Sequence, residues 1–142
     1  LNSGKALNKF REMIEAHGGD ARVVDDVSLF PKARFIEPVY ADRNGYIQGF
    51  DSEKCGIASV VLGSGRETKD SEIDYSAGII LCIRAGDYVR KGDVLAYLHT
   101  SREDTLKRAG ELLGSGIKIG DSAPVAVPLV YKRISSEDFQ DG

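Results

Sequence analysis

A mixed α+β fold is what this sequence predicts, and three observations predict it. Three stretches, 5–17, 51–62 and 104–113, carry apolar residues at helical spacing. Around them run β-rich segments at 36–42, 46–50, 78–83, 94–99 and 125–134. The β-rich runs are punctuated by Asn44-Gly45, Gly86-Asp87 and Gly92-Asp93, pairs that suit tight turns.

The chain of 142 residues is long enough to build a domain with a real core. Its 42% hydrophobic and 29% charged residues are those of an ordinary water-soluble globular protein. A net charge of −3 supplies no global attraction to nucleic acid or to an anionic membrane. The basic residues Arg66, Lys69, Arg90 and Lys91 are all that favours a nucleic-acid partner, and none is expected. The longest apolar runs, Ser59–Leu62 and Gly78–Ile83, are far too short to cross a bilayer. The start of the chain lacks the charged-then-apolar pattern of a signal peptide, and a cytoplasmic location is expected. Leu1-Asn2-Ser3 also lacks an initiator Met, so a piece of a longer polypeptide is expected. Cys55 and Cys82 belong to no CxxC and read as buried free thiols in a reducing compartment.

In chain order, Ala6, Leu7, Phe10, Met13 and Ile14 make one face of the first helix. Ser3 is its expected N-cap, and Gly18-Gly19 its stop. His17 falls in the last turn, where a solvated or capping role is expected. An amphipathic helix here needs a partner to cover its apolar face. Residues 20–35, with Asp25-Asp26 and Pro31, read as a connection rather than a packed element. Asn44-Gly45 predicts a type I′ hairpin joining the runs on either side of it.

Asp51-Ser52-Glu53 reads as a helix start beside the positive dipole end. Cys55, Ala58, Val61 and Leu62 then share a face, and Gly63 closes the helix in a left-handed conformation. Gly63-Ser64-Gly65-Arg66 looks like a phosphate cradle, but the physics argues against it. A cradle places its glycines before a helix, where N–H groups are free. Here they follow one, where carbonyls point; Arg66 and Lys69 are expected to offset those carbonyls or to pair with Asp70 and Glu72.

Gly78–Ile83 is continuous and apolar, as for a strand buried on both faces. In the run 85–95 the glycines allow backbone turns, the Asp side chains accept turn N–H bonds, and Val89 and Leu95 point inward. His99 ends the returning strand, Val94–His99, with no second His or Cys nearby, and reads as structural. Ser101 with Asp104 predicts a capping box before a third helix with stripe Leu106, Ala109, Leu112 and Leu113, stopped by Gly114-Ser115-Gly116. Pro128 confines the run 125–134 to a sheet edge, and Ser135–Gly142 reads as an acidic tail.

Two resemblances follow. The Gly86-Asp87-x-Val89-x-x-Gly92-Asp93-x-Leu95 pattern resembles the half-motif of biotinyl and lipoyl carrier domains. Those domains need a hairpin-tip lysine, and Leu98-His99-Thr100-Ser101-Arg102 offers none. Over nearly its whole length the chain resembles the C-terminal part of a pyrimidine-nucleoside phosphorylase. Ser3-Gly4-Lys5-Ala6-Leu7, Phe10 and Gly18-Gly19-Asp20 are similar to the helix closing that family's catalytic α/β domain. Leu62-Gly63-Ser64-Gly65-Arg66, Lys69, Ile73-Asp74 and Gly78-Ile79 are similar to the stretch that marks its C-terminal domain, with Ser64 standing where Ala or Gly is expected. Gly86-Asp87, Val89, Lys91-Gly92, Leu95-Ala96 and Pro128-Leu129-Val130-Tyr131 continue the match.

The resemblance implies an α/β-hammerhead domain with a barrel-sandwich-like β half and two to three packed helices. It implies residues 1–34 as the closing helix and linker of the catalytic domain, and 35–142 as the C-terminal domain. The parent would cleave uridine, thymidine or deoxyuridine with inorganic phosphate as co-substrate, giving the base and (deoxy)ribose-1-phosphate. It would need no cofactor, would work as a homodimer, and would keep its phosphate loop and base-gripping residues upstream. No catalytic, substrate-binding or metal-binding residue carries over to this chain. The competing expectation is a stand-alone biotinyl- or lipoyl-like carrier or binding module.

Overall fold

A computed structural model describes residues 2–125, 128, 130 and 132–135. Helix α1, Lys5–Ala16, is followed by two short 3-10 turns, Ala21–Val24 and Val27–Leu29. Strands β1 (Phe35–Tyr40) and β2 (Gly45–Phe50) lead into helix α2 (Ser52–Ser59), which widens into a π-type turn over Val60–Ser64. Strands β3 (Gly78–Leu81), β4 (Tyr88–Val89) and β5 (Val94–Thr100) come next. A 3-10 turn, Glu103–Thr105, then starts helix α3 (Leu106–Gly116), which runs directly into β6 (Ile117–Gly120). The fold is mixed, with three helices and two antiparallel three-stranded sheets ordered β1-β5-β3 and β4-β2-β6.

The expected Asn44-Gly45 hairpin does not form. β1 pairs with β5, while β2 pairs with β4 and β6, so the segment between β1 and β2 crosses from one sheet to the other. Two other needs explain the dipeptide. Asn44 Oδ1 accepts the Lys91 N–H at 2.7 Å. A Cβ at Gly45 would stand 2.6 Å from the Gly120 carbonyl oxygen, inside the β2–β6 pairing. A strand neighbour this close leaves room for glycine alone.

The Gly-Asp turns form as expected, and they form twice on one plan. In each, Asp Oδ2 accepts an N–H three residues back: Arg84 to Asp87 at 2.7 Å, Arg90 to Asp93 at 2.8 Å. Gly86 and Gly92 sit at φ of 96° and 93°. Each turn exchanges two backbone bonds with one residue, Ile47 for the first and Ala41 for the second. Ile47 lies in β2 and Ala41 follows β1, so the paired turns grip both sheets. Val89 and Leu95 both point inward and are buried.

The core fills the space between the sheets and α2 and α3, around Ile47, Leu62, Leu98 and Leu113. Each such side chain contributes about 1.5–3 kcal/mol by leaving water. Asp51 caps α2 as expected, accepting the Lys54 N–H at 3.1 Å. Ala58, Val61 and Leu62 are buried, and Gly63 turns the chain at φ 115°. The expected stripe of α3 is also correct, with Ala109 and Leu113 buried and Leu106 and Leu112 packed against them.

Other expectations need correction. Ser3 does not cap α1; Gly4, left-handed at φ 74°, stands there with no side-chain bond. Gly18 does close the helix at φ 75°. Ser101 does not cap α3: its hydroxyl lies with that of Ser76 at 3.2 Å, its N–H goes to Asp74 Oδ2 at 2.8 Å, and the 3-10 turn starts the helix instead. β3 is not buried on both faces: it is a sheet edge, with Ile80 and Leu81 exposed. Cys82, expected inside, is exposed for the same reason, whereas Cys55 is half-buried. In the run 125–134, Ala126, Val127, Leu129 and Tyr131 lie outside the described residues. Its described members form no strand. Of the expected tail, 136–142 lies outside as well.

α1 lies against the 3-10 turn at Ala21–Val24, pinned by Arg11 to Asp25 at 2.7 Å. It buries no residue. Leu7, Phe10 and Met13 are about half exposed, and Val27, Leu29 and Phe30 on the following turns are exposed too.

Candidate functional site

The most built polar arrangement lies where the π-type turn meets the end of β5. A helix C-terminus leaves carbonyls without partners. Here two residues from roughly forty positions away supply donors. The Thr100 hydroxyl, fully buried, donates to the Leu62 carbonyl at 2.7 Å, and the Arg102 guanidinium donates to the Val61 carbonyl at 2.9 Å. Gly63 completes the set, its carbonyl accepting the Asp74 N–H at 2.9 Å. The expectation that Arg66 and Lys69 offset these carbonyls is therefore wrong. Arg102 has the right position because β5 runs up beside the π-type turn.

Asp74 ties this junction to the turn before β3 and to the residue after β5. Its Oδ1 accepts the Ser76 N–H at 2.9 Å and the Ser76 hydroxyl at 2.5 Å, and its Oδ2 accepts the Ser101 N–H. Burial works against the charge, yet the Ser76 and Ser101 hydrogen bonds outweigh it and hold the carboxyl at about 2.

This chemistry is that of a brace. A carboxylate saturated with donors and held so low binds no proton near neutral pH, so it is a poor general base. The Thr100 hydroxyl donates to one carbonyl and accepts the Arg102 N–H at 3.0 Å, leaving it committed at both ends. The Cys55 thiol is pushed up, by burial first and by the Asp51 carboxylate second, which disfavours the nucleophilic thiolate. His17 sits at the exposed C-terminus of α1, and His99 is half-buried in β5 beside Ile36 and Gly78. The structure brings neither histidine to the junction. Among the described residues every buried side-chain nitrogen and oxygen has a partner. None of their His, Cys, Asp and Glu side chains gather in a group of three able to hold a metal. No described helix is long and apolar enough to cross a membrane.

Beside the junction opens a groove lined by Arg34, Phe35, Ser101, Arg102, Glu103 and Asp104. Its charges are mixed, and Arg34 lies over the Phe35 ring at 5.4 Å. Ile73-Asp74 and Gly63 stand out through the family pattern, but Thr100 and Arg102 carry no local signal. Only the fold brings them to Val61 and Leu62.

The family model "Pyrimidine nucleoside phosphorylase C-terminal domain" matches residues 46–120, more than half of the chain. The chain belongs to this family. The match begins and ends on cross-strand partners, since Tyr46 of β2 lies opposite Gly120 of β6. It takes in α2, the braced junction, both Gly-Asp turns and α3. The pyrimidine-nucleoside phosphorylase of Geobacillus stearothermophilus is 37% identical over 137 residues, covering 95% of this chain and 31% of that protein. The enzyme of that name from Staphylococcus aureus (strain USA300) is 37% identical over 135 residues, with the same two coverages. The chain thus spans about a third of the length of these curated relatives. These matches do not favour the carrier alternative.

Proposed function

We propose that this chain is the accessory C-terminal domain of a phosphorolytic enzyme. The parent would cleave a pyrimidine nucleoside, uridine, thymidine or deoxyuridine, with inorganic phosphate, releasing the base and a pentose-1-phosphate. The observation that carries the reading is the alignment with two pyrimidine-nucleoside phosphorylases over 95% of this chain but only 31% of either relative. The geometry agrees with an accessory role, because the most elaborate polar cluster here is consumed in bracing backbone. The proposed division puts residues 1–34 with the catalytic part and assigns 35–142 the α/β-hammerhead form.

In this reading the exposed face of Leu7, Phe10 and Met13 packs against the catalytic part, which also carries the phosphate and base sites. The parent works as a cytoplasmic homodimer and needs no cofactor. Two measurements test the proposal. The purified 142-residue chain, given uridine or thymidine with phosphate, is expected to release no uracil or thymine; turnover by the chain alone overturns the accessory role. Mixed with the Geobacillus stearothermophilus enzyme lacking its matching third, it is expected to restore phosphorolysis. Failure to bind that truncated enzyme counts against the division of labour.

A further inference from the structure

We propose that residues 64–73 form a strap with two fixed posts and one salt-labile latch. The posts are Gly63 and Asp74, joined by the 2.9 Å bond between their carbonyl and N–H. Ten residues whose flanking positions touch make an Ω-loop, a compact unit able to move on its ends. Neither post is free to move with it. The chain entering Gly63 is held by Thr100 and Arg102, and Asp74 is held by Ser76 and Ser101. A Cβ on Gly63 would lie 3.1 Å from Asp74 Cβ, which shows how closely the posts are packed.

Ser64, next to the first post, is fastened with it, its hydroxyl bonded to the Ser59 carbonyl at 2.8 Å and to the Ser59 hydroxyl at 2.5 Å; beyond it the strap is held differently. Thr68 and Ser71 bond to one another, the Thr68 N–H reaching Ser71 Oγ at 3.0 Å, which shapes the tip but fastens it to nothing. Among the described residues, the one hydrogen bond or ion pair from 66–73 to another element is Arg108 of α3 to Glu67 at 2.9 Å. The two side chains are 62% and 37% exposed. An exposed pair of this kind shifts an equilibrium by a factor of a few at low salt and less as salt screens it. Arg108 also has acids nearby along the chain, Asp104 four residues before it in the 3-10 turn and Glu111 three after it in α3, so leaving Glu67 costs it little.

Screening the latch therefore frees the tip while the posts, whose bonds are short-range and partly buried, stay made. The swing opens the groove along α2, whose far wall is Arg66 and Glu67 and whose near wall holds Gly56, Ile57 and Val60. This device does not depend on which reaction the parent performs.

Amide relaxation of the whole chain by NMR reads it directly. In about 0.05 M salt, order parameters at 66–70 are expected near those of Gly63 and Asp74, about 0.85. In about 1 M salt, or in Arg108→Gln at low salt, they are expected to fall below about 0.6 at 66–70 alone. Arg108→Lys should restore part of the order, and Glu67→Gln should repeat the loss. Trypsin cutting after Arg66 and Lys69 should rise severalfold in Arg108→Gln, which leaves both bonds chemically unchanged. The proposal is overturned if 66–70 are already disordered at low salt, if salt and Arg108→Gln leave them unchanged, or if Gly63 and Asp74 loosen with them.

Discussion

Helices α1 and α3 are close to equal as sequences and opposite as structures. Both carry a clean apolar stripe with charges opposite it. α3 buries Ala109, Leu113 and Gly116, while α1 buries nothing and shows Leu7, Phe10 and Met13 to solvent. The difference lies in what faces them. α3 has α2 close on one side, where a Cβ on Gly116 would come within 3.1 Å of Lys54 Cβ, and β1 and β5 on another. α1 has a 3-10 turn and one exposed ion pair. Amphipathicity reports that a face requires cover; it does not report what supplies the cover.

Three measurements break or sharpen that contrast. The largest effect is expected at the buried stripe. Leu113→Ala should lower the unfolding free energy by about 2–5 kcal/mol in urea melts. Phe10→Ala, the matching change on α1, should move it by less than about 0.5 kcal/mol. Equal losses would mean that α1 is packed after all. The next effect is at the junction that seats α3. Thr100→Val keeps the shape but strands the Leu62 carbonyl and the Arg102 N–H, and should cost about 1–3 kcal/mol, with Thr100→Ser recovering most of it. A Val variant as stable as the original would deny the brace.

The smallest effect is in acid. The folded Asp74 carboxyl titrates at about 2, below its ordinary 3.8, so its contribution is complete above the ordinary value and is lost as pH falls from there toward 2. With partial exposure discounted, the contribution is on the order of 1–2 kcal/mol. The stability difference between the original and Asp74→Asn should therefore shrink between about pH 4 and pH 2. A difference that stays constant across that window would mean the carboxylate charge plays no part.

Local order was legible in the sequence, and pairing was not. Asp51, Gly63, Gly86 and Gly92 announced their turns because a cap or a left-handed residue depends on its immediate neighbours. The stripe of α3 was legible because periodicity survives in any surroundings. Asn44-Gly45 misled because the same two residues answer a local rule and a distant need, and here the distant need, Lys91 and Gly120, prevailed. β3 read as a central strand because Gly78–Ile83 is apolar throughout, yet it lies at a sheet edge with half its side chains outward. β6 was missed because it follows α3 without a turn; the alternation Ile117-Lys118-Ile119 is its only mark. The junction was half legible. Asp74 and Gly63 stand in the family pattern, but the donors Thr100 and Arg102 reach carbonyls about forty residues earlier, a separation no window spans.

The twin Gly-Asp turns have a mechanical consequence. Ala41 hangs from one sheet and Ile47 belongs to the other, and each exchanges a pair of backbone bonds with a turn of the same hairpin-like run. Sliding one sheet over the other must shear both pairs at once, since only Tyr88 and Val89 separate the two turns. The β half thus acts as a stiff lever arm. Slip between the layers is thereby opposed at two points by four backbone hydrogen bonds.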